Sequence, residues 1–144
     1  MIEIIDGRPD VLIPIVIDLC KASFDEVDAG YPFNIDVASY KIAHDAGQHR
    51  MFVAREGADY VGLISFFVTP EYFNPSIVNA YLDCVYVLPS KRGGTLFNRL
   101  VKVAKGAARD MGAMNFTYVL PAKFADVFTK RGHVLDEVTF KEEL

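Results

Sequence analysis

The stretch Val85-Tyr86-Val87-Leu88-Pro89-Ser90-Lys91-Arg92-Gly93-Gly94-Thr95-Leu96 constrains this chain more than any other, because an apolar strand passes through a basic, glycine-bearing turn straight into a helix. Such a junction suits a phosphate. Free N–H groups at a helix start carry partial positive charge, glycines admit an anion close to the backbone, and Lys91 and Arg92 place full charges beside them. A phosphorylated ligand is the first expectation.

At 144 residues, 51% of them apolar, the chain fits one domain spanning 1–144 with a core that needs no staples. Cys20 and Cys84 sit inside apolar runs with no Cys or His partner at metal spacing, and read as reduced core residues of a cytoplasmic protein. His44, His49 and His133 are isolated, so neither a metal site nor a nucleophilic triad is expected. The start, Met1-Ile2-Glu3-Ile4-Ile5-Asp6, has no basic leader, and the apolar run from Val11 to Ile17 is broken by Pro14 and too short for a bilayer. No membrane association is expected.

Charge is split along the chain. Residues 1–90 carry 5 Lys/Arg against 13 Asp/Glu, whereas residues 91–144 carry 10 against 6. A basic half around the glycine turn suits an anionic cofactor, and an acidic half suits a cationic partner such as an amine. Arg99, Lys102, Lys105 and Arg109 form a stripe on the helix that follows the turn. The protein is acidic overall and lacks a nucleic-acid motif, so the stripe reads as a solvated face, of which Arg99, nearest the helix start, is the residue expected to touch the cofactor's phosphate.

Hydrophobic periodicity and turn chemistry predict a strand at Ile2–Ile5, a helix over Val11–Ser23 capped by Asp10, and a second helix from a cap at Asn34 or Asp36 through Ala46. A hairpin of Met51–Arg55 and Tyr60–Thr69, a strand at Ala80–Val87 and a long amphipathic helix from Gly94 to Met111 follow. The remainder reads as a strand at Asn115–Leu120, a short helix over Ala122–Arg131 and a last strand at Val134–Lys141. The order is β-α-α-β-β-β-α-β-α-β.

That order, with the phosphate turn between the fourth strand and the third helix, resembles the GCN5-related N-acetyltransferase (GNAT) fold, an α/β domain with a mixed, mostly antiparallel sheet flanked by helices. The motif carrying the likeness is Val87-Leu88-Pro89 followed by Arg92-Gly93-Gly94-Thr95-Leu96-Phe97, and Phe128-Thr129-Lys130-Arg131-Gly132-His133 resembles the family's Tyr-x-x-x-Gly-Phe. Thr95 and Phe97 replace two small residues of the motif, Phe128 replaces the tyrosine, and Pro121 lies near the place of an asparagine. The Arg-Gly-Gly variant and compact size are similar to acetyltransferases encoded by bacteriophages.

The resemblance implies acetyl-coenzyme A as cofactor. It places the diphosphate on the N–H groups of Arg92, Gly93, Gly94, Thr95, Leu96 and Phe97, with the Phe97 ring turned into the core. The pantetheine arm would follow the backbone of Val85 and Val87. Asp83, an acid in an apolar strand, stands where polyamine acetyltransferases of the family carry a glutamate, and is expected on the face of Val85 and Val87, with Cys84 opposite. A carboxylate there can take the proton of an attacking amine or hold its ammonium. With Phe128 lacking a hydroxyl, Tyr118 or Tyr86 is the candidate acid for the leaving thiolate. Tyr31, Phe33, Glu71 and Tyr72 lie on the two irregular loops flanking the acceptor site in this fold and are expected to line an amine pocket.

The expected activity is acetyl transfer to a primary amine by direct attack in a ternary complex, the acceptor being a small molecule or a protein. The alternative is a degenerate member that binds coenzyme A or a protein partner without turnover. The fold often pairs, so a homodimer is compatible with the resemblance, although no sequence feature shows it.

Overall fold

The computed structural model describes residues 1–144. Its sheet has five strands in the order β1 to β5: β1 (Ile2–Gly7), β2 (His49–Glu56), β3 (Asp59–Pro70), β4 (Val78–Val87) and β5 (Asn115–Thr117). Neighbours are antiparallel except β4 and β5, which run parallel. Helices α1 (Pro9–Ile15), α2 (Ile17–Val27) and α3 (Val37–Asp45) separate β1 from β2. Helix α4 (Leu96–Asp110) joins β4 to β5, and α5 (Ala125–Lys130) follows a short 3₁₀ turn.

The sheet is buried on both faces. Leu96, Leu100, Ala104 and Ala108 fall at four-residue spacing along one stripe of α4, and pack with Ile64, Phe66, Ala80, Leu82 and Val87. Gly62 lets this helix come close: a Cβ there would meet the Tyr86 carbonyl at 3.0 Å and Leu100 at 3.3 Å. On the opposite face Leu12, Ile13, Val16, Leu19 and Cys20 from α1 and α2 cover Met51, Val53, Leu63 and Tyr86. No helix is long and apolar enough to cross a membrane.

The expected α/β architecture is found, with three local corrections. The first helix is two helices, because Pro14 has no N–H to donate back to Asp10 and the chain leaves helical geometry at Val16 (φ −108°, ψ 24°). Asp10 is no cap; Arg8 precedes the helix and pairs with Asp10 at 3.2 Å. The second cap is Asp36, whose carboxylate accepts from the Ser39 N–H and hydroxyl. The last strand is absent: residues 131–144 form neither helix nor strand, and Val134, Leu135, Val138 and Phe140 are exposed. β5 offers only a three-residue edge, too short to fix the register of a further strand.

Candidate active site

The turn after β4 is an open cradle of backbone donors. The N–H groups of residues 93–98 make no hydrogen bond within the protein, the first resumption being Arg99 N–H to the Thr95 carbonyl at 3.0 Å. Gly93 has φ +86°, which only glycine adopts freely. A Cβ at Gly93 or Gly94 would meet no protein atom within 4 Å, so the backbone lies open to a ligand. Leu96 is buried beneath, and the Phe97 ring packs against the α4 core under the Arg131 guanidinium, as expected.

The basic side chains of the turn brace it. Lys91 is 2.8 Å from Glu56 on β2. Arg92 donates from Nε to the Val87 carbonyl and from Nη2 to Glu26 at the end of α2, both at 2.8 Å, and lies over the Tyr86 ring. Arg99, expected on the phosphate, instead turns toward β1 and donates to the Ile2 carbonyl at 2.8 Å. All three reach away from the cradle, leaving main-chain donors as its floor.

From the cradle a track leads back along β4. The Leu88 N–H donates to the Val61 carbonyl on β3, and in an antiparallel pair alternate residues point their polar groups to the other edge, so those of Val85 and Val87 face away from β3. β5 covers that edge only at Asn79–Tyr81, and beyond Tyr81 it is unpaired.

A bulge sets what lies at the far end of this track. Leu82 pairs with Phe66 and Cys84 with Ser65, so Asp83 is an extra residue on β4. The alternation of faces slips there: Leu82, Val85 and Val87 pack toward α4, while Asp83 and Cys84 both border a cavity on the α2 side. The expected placement of Asp83 on the face of Val85 and Val87, with Cys84 opposite, is thus corrected. A bulge leaves no trace in hydrophobic patterning.

The cavity measures about 580 Å³, and twelve of its eighteen lining residues are apolar. Asp83, itself exposed, is one of two acids on its lining, the other being Asp36. Tyr40 on α3 and Ser65 on β3 donate to Oδ2 at 2.8 and 2.7 Å, while Oδ1 accepts no hydrogen bond from the protein. Solvent reaches the carboxylate through the mouth, yet protein surrounds it on most sides. Exposure makes Oδ1 available to a ligand, and the protein packed around the rest of the carboxylate raises its pKa, against the opposing pull of the Ser65 and Tyr40 hydroxyls. Ser65 stands out in sequence as the lone hydroxyl in Leu63-Ile64-Ser65-Phe66-Phe67. Tyr40 carries no such signal, since the rotation of α3 alone turns it toward Asp83.

Among the expected acceptor residues, Tyr31 and Phe33 line this cavity, their rings 5.4 and 5.5 Å from Phe24. Glu71 and Tyr72 do not. Glu71 accepts from Asn79 and Tyr81 on β4, and Tyr72 is 98% exposed. Tyr118, just past β5, sits among Phe116, Phe128 and His133, with its hydroxyl buried and unpartnered. Burial raises its pKa, with Arg131 opposing. Tyr86 is buried beneath Arg92 in the α2-side core. No group of three or more His, Cys, Asp or Glu is placed to hold a metal ion.

Behind Tyr40 lies His49, 1% exposed, wedged between the Tyr40 and Phe67 rings with both ring nitrogens unpartnered. Burial, then the charge of His44, lowers its pKa from 6.5 to about 4. Between these values the unfolded chain binds a proton that the folded one refuses. Stability is therefore full above pH 6.5 and drains as pH falls toward 4, by up to about 1.4 kcal/mol per unit. His49→Phe is expected to flatten urea-derived stability over this window; an unchanged slope would assign the acid sensitivity elsewhere.

Comparison with known proteins supplies the family and confirms the fold. Residues 16–127 match the model of the acetyltransferase (GNAT) family. The fold is similar to an aminoglycoside acetyltransferase from an uncultured soil metagenomic sample, at 13% identity and TM-score 0.78 over 100% of this chain and 98% of the other. It is also similar to a predicted acetyltransferase from Clostridium acetobutylicum solved with acetyl-CoA, at 14% identity and TM-score 0.75 over 99% and 96%. A ribosomal-protein-alanine N-acetyltransferase from Brucella melitensis biovar Abortus 2308 shares the fold at 15% identity and TM-score 0.73 over 99% of each chain. No curated protein sequence is significantly similar. With a family match over most of its length, the chain belongs to the GNAT acetyltransferases, enzymes whose cofactor is acetyl-coenzyme A.

Proposed function

We propose that this protein acetylates a primary amine by direct attack in a ternary complex, with Asp83 holding the amine and accepting its proton. The observation that carries this reading is the free Oδ1 of Asp83, exposed on the lining of a mostly apolar cavity and on the strand that leads to the open turn at residues 93–98. When bound, acetyl-coenzyme A supplies a thioester whose carbonyl carbon takes the amine's lone pair as the carbon–sulfur bond breaks and sulfur keeps its electrons.

The chain's own groups do the rest. N–H groups of residues 93–98 hold the diphosphate, and the outward N–H groups of Val85 and Val87 serve the pantetheine arm and the charge developing on the carbonyl oxygen. An upward-shifted carboxylate is a stronger base, which fits Asp83 to take the proton lost by nitrogen. Tyr118 is the candidate acid for the departing sulfur: its hydroxyl has no partner in the protein, and to reach the sulfur it must turn out of the cluster of Phe116, Phe128 and His133.

Cys84 shares the cavity with Asp83, yet its chemistry argues against a covalent acyl route. Burial pushes the Cys84 thiol up to about 12 and the Cys20 thiol to about 11, leaving almost no thiolate to act as nucleophile.

Release of free thiol only when acetyl-coenzyme A and a primary amine are both present supports the proposal; release indifferent to the amine contradicts it. Tyr118→Phe is expected to lower kcat about tenfold, less than a full acid because a thiolate is itself a fair leaving group. An unchanged kcat would remove Tyr118 from the reaction.

A further inference from the structure

The cavity carries more negative charge than one ammonium balances. We infer that the acceptor is an aliphatic diamine or longer polyamine, with Asp36 holding a second ammonium while the reacting amine sits at Asp83. The inference rests on the acetyl-transfer reading, and adds the substrate class and the residue that selects it.

Seven of the thirteen acids in residues 1–90 stand in ion pairs with Arg or Lys, so their charge is balanced within the protein. Asp36 and Asp83 are not among them, and both are exposed on the cavity lining. Asp28, also in no ion pair, borders an adjoining recess that shares Phe24, Ala29, Tyr31 and Pro32 with the cavity. No Lys, Arg or His lines either hollow. A lining with this excess of one sign favours a multiply charged cation.

Asp36 is a fixed charge. As the cap of α3 it accepts from the Ser39 hydroxyl at 2.6 Å and the Ser39 N–H at 3.1 Å, which hold its carboxyl below the usual aspartate range. A carboxylate has about four lone-pair sites, so two donors leave room for an ammonium. The Tyr40 N–H donates to the Asp36 carbonyl, so the two residues stand one helical turn apart, with Cβ atoms about 5–6 Å from each other, and the Tyr40 hydroxyl rests on Asp83. Neither carboxylate shifts the pKa of the other. They are therefore separate charges joined through one tyrosine, a spacing that suits two ammonium groups on one short carbon chain. Phe24, Val27, Tyr31 and Phe33 can bury that chain, and the rings also attract cations.

Cadaverine and pentylamine share a carbon chain and differ in the second ammonium. In thiol release with acetyl-coenzyme A, kcat/KM for cadaverine should lead by about tenfold, beyond the roughly twofold that two reactive ends supply, and the lead should shrink at high salt. Asp36→Asn retains a good helix cap and removes the charge, so it should lower the ratio of the two kcat/KM values by about fivefold.

Equal kcat/KM for the two amines overturns the diamine assignment and leaves acetyl transfer intact. A ratio that Asp36→Asn leaves unaltered, or that salt does not change in the parent protein, also overturns it. Tighter calorimetric binding of cadaverine than of pentylamine with coenzyme A bound, but without thiol release from acetyl-coenzyme A, sinks acetyl transfer and leaves the two-charge cavity standing.

Discussion

Asp83→Asn is expected to lower kcat/KM for the amine by about 100-fold or more, since the amide can neither take the proton nor balance an ammonium. The fold should survive. Tyr40 and Ser65 can still donate to the amide oxygen, so stability should stay within about 1 kcal/mol of the parent. Acetyl-coenzyme A binding should be largely unchanged, because the open turn proposed to hold the diphosphate, residues 93–98, begins beyond the C-terminal end of β4, whereas Asp83 lies in mid-strand. The parent's kcat/KM should fall on the acid side with a midpoint above the ordinary aspartate range, in line with the raised pKa, and the variant should lack that limb. Full activity of Asp83→Asn would mean that the acceptor is positioned by something else.

Gly94→Val should separate binding from folding. The added side chain meets no protein atom within 4 Å, and Gly94, unlike Gly93, does not have a positive φ, so melting should barely move. The same side chain occupies the space above the free N–H groups. Loss of one or two charge-assisted hydrogen bonds weakens acetyl-coenzyme A binding by roughly tenfold to several hundredfold, visible by calorimetry. Unchanged affinity would place the diphosphate elsewhere.

The features legible in the sequence are those encoded by local periodicity and turn chemistry. The four-residue spacing of Leu96, Leu100, Ala104 and Ala108 marks the buried stripe of α4, and the run of N–H groups exposed by Gly93 and Gly94 follows from residue type alone. The bulge at Asp83 is different. Alternation reads the same with or without one extra residue, and only pairing with Ser65 and Phe66 reveals that Asp83 and Cys84 share a side.

Long-range partners were equally silent. Tyr40 reaches Asp83 across 43 residues, and Arg92 ties the cradle to Glu26 on α2 across 66. Val134 to Lys141 carries strand-forming residues, yet propensity without a long enough partner edge leaves them unpaired. Glu71 and Tyr72 illustrate a related limit: loop placement predicted a pocket wall, whereas hydrogen bonds to Asn79 and Tyr81 hold Glu71 outside the cavity.

Direct transfer from thioester to amine is tested most sharply by mass spectrometry of a reaction containing the protein, acetyl-coenzyme A and the primary amine that gives the fastest thiol release. The predicted result is equal amounts of coenzyme A and N-acetylated amine, with no acetyl group on Cys20, Cys84 or any other residue during turnover. Coenzyme A released without acetylated amine, or an acetylated cysteine formed and consumed at the rate of turnover, would contradict it.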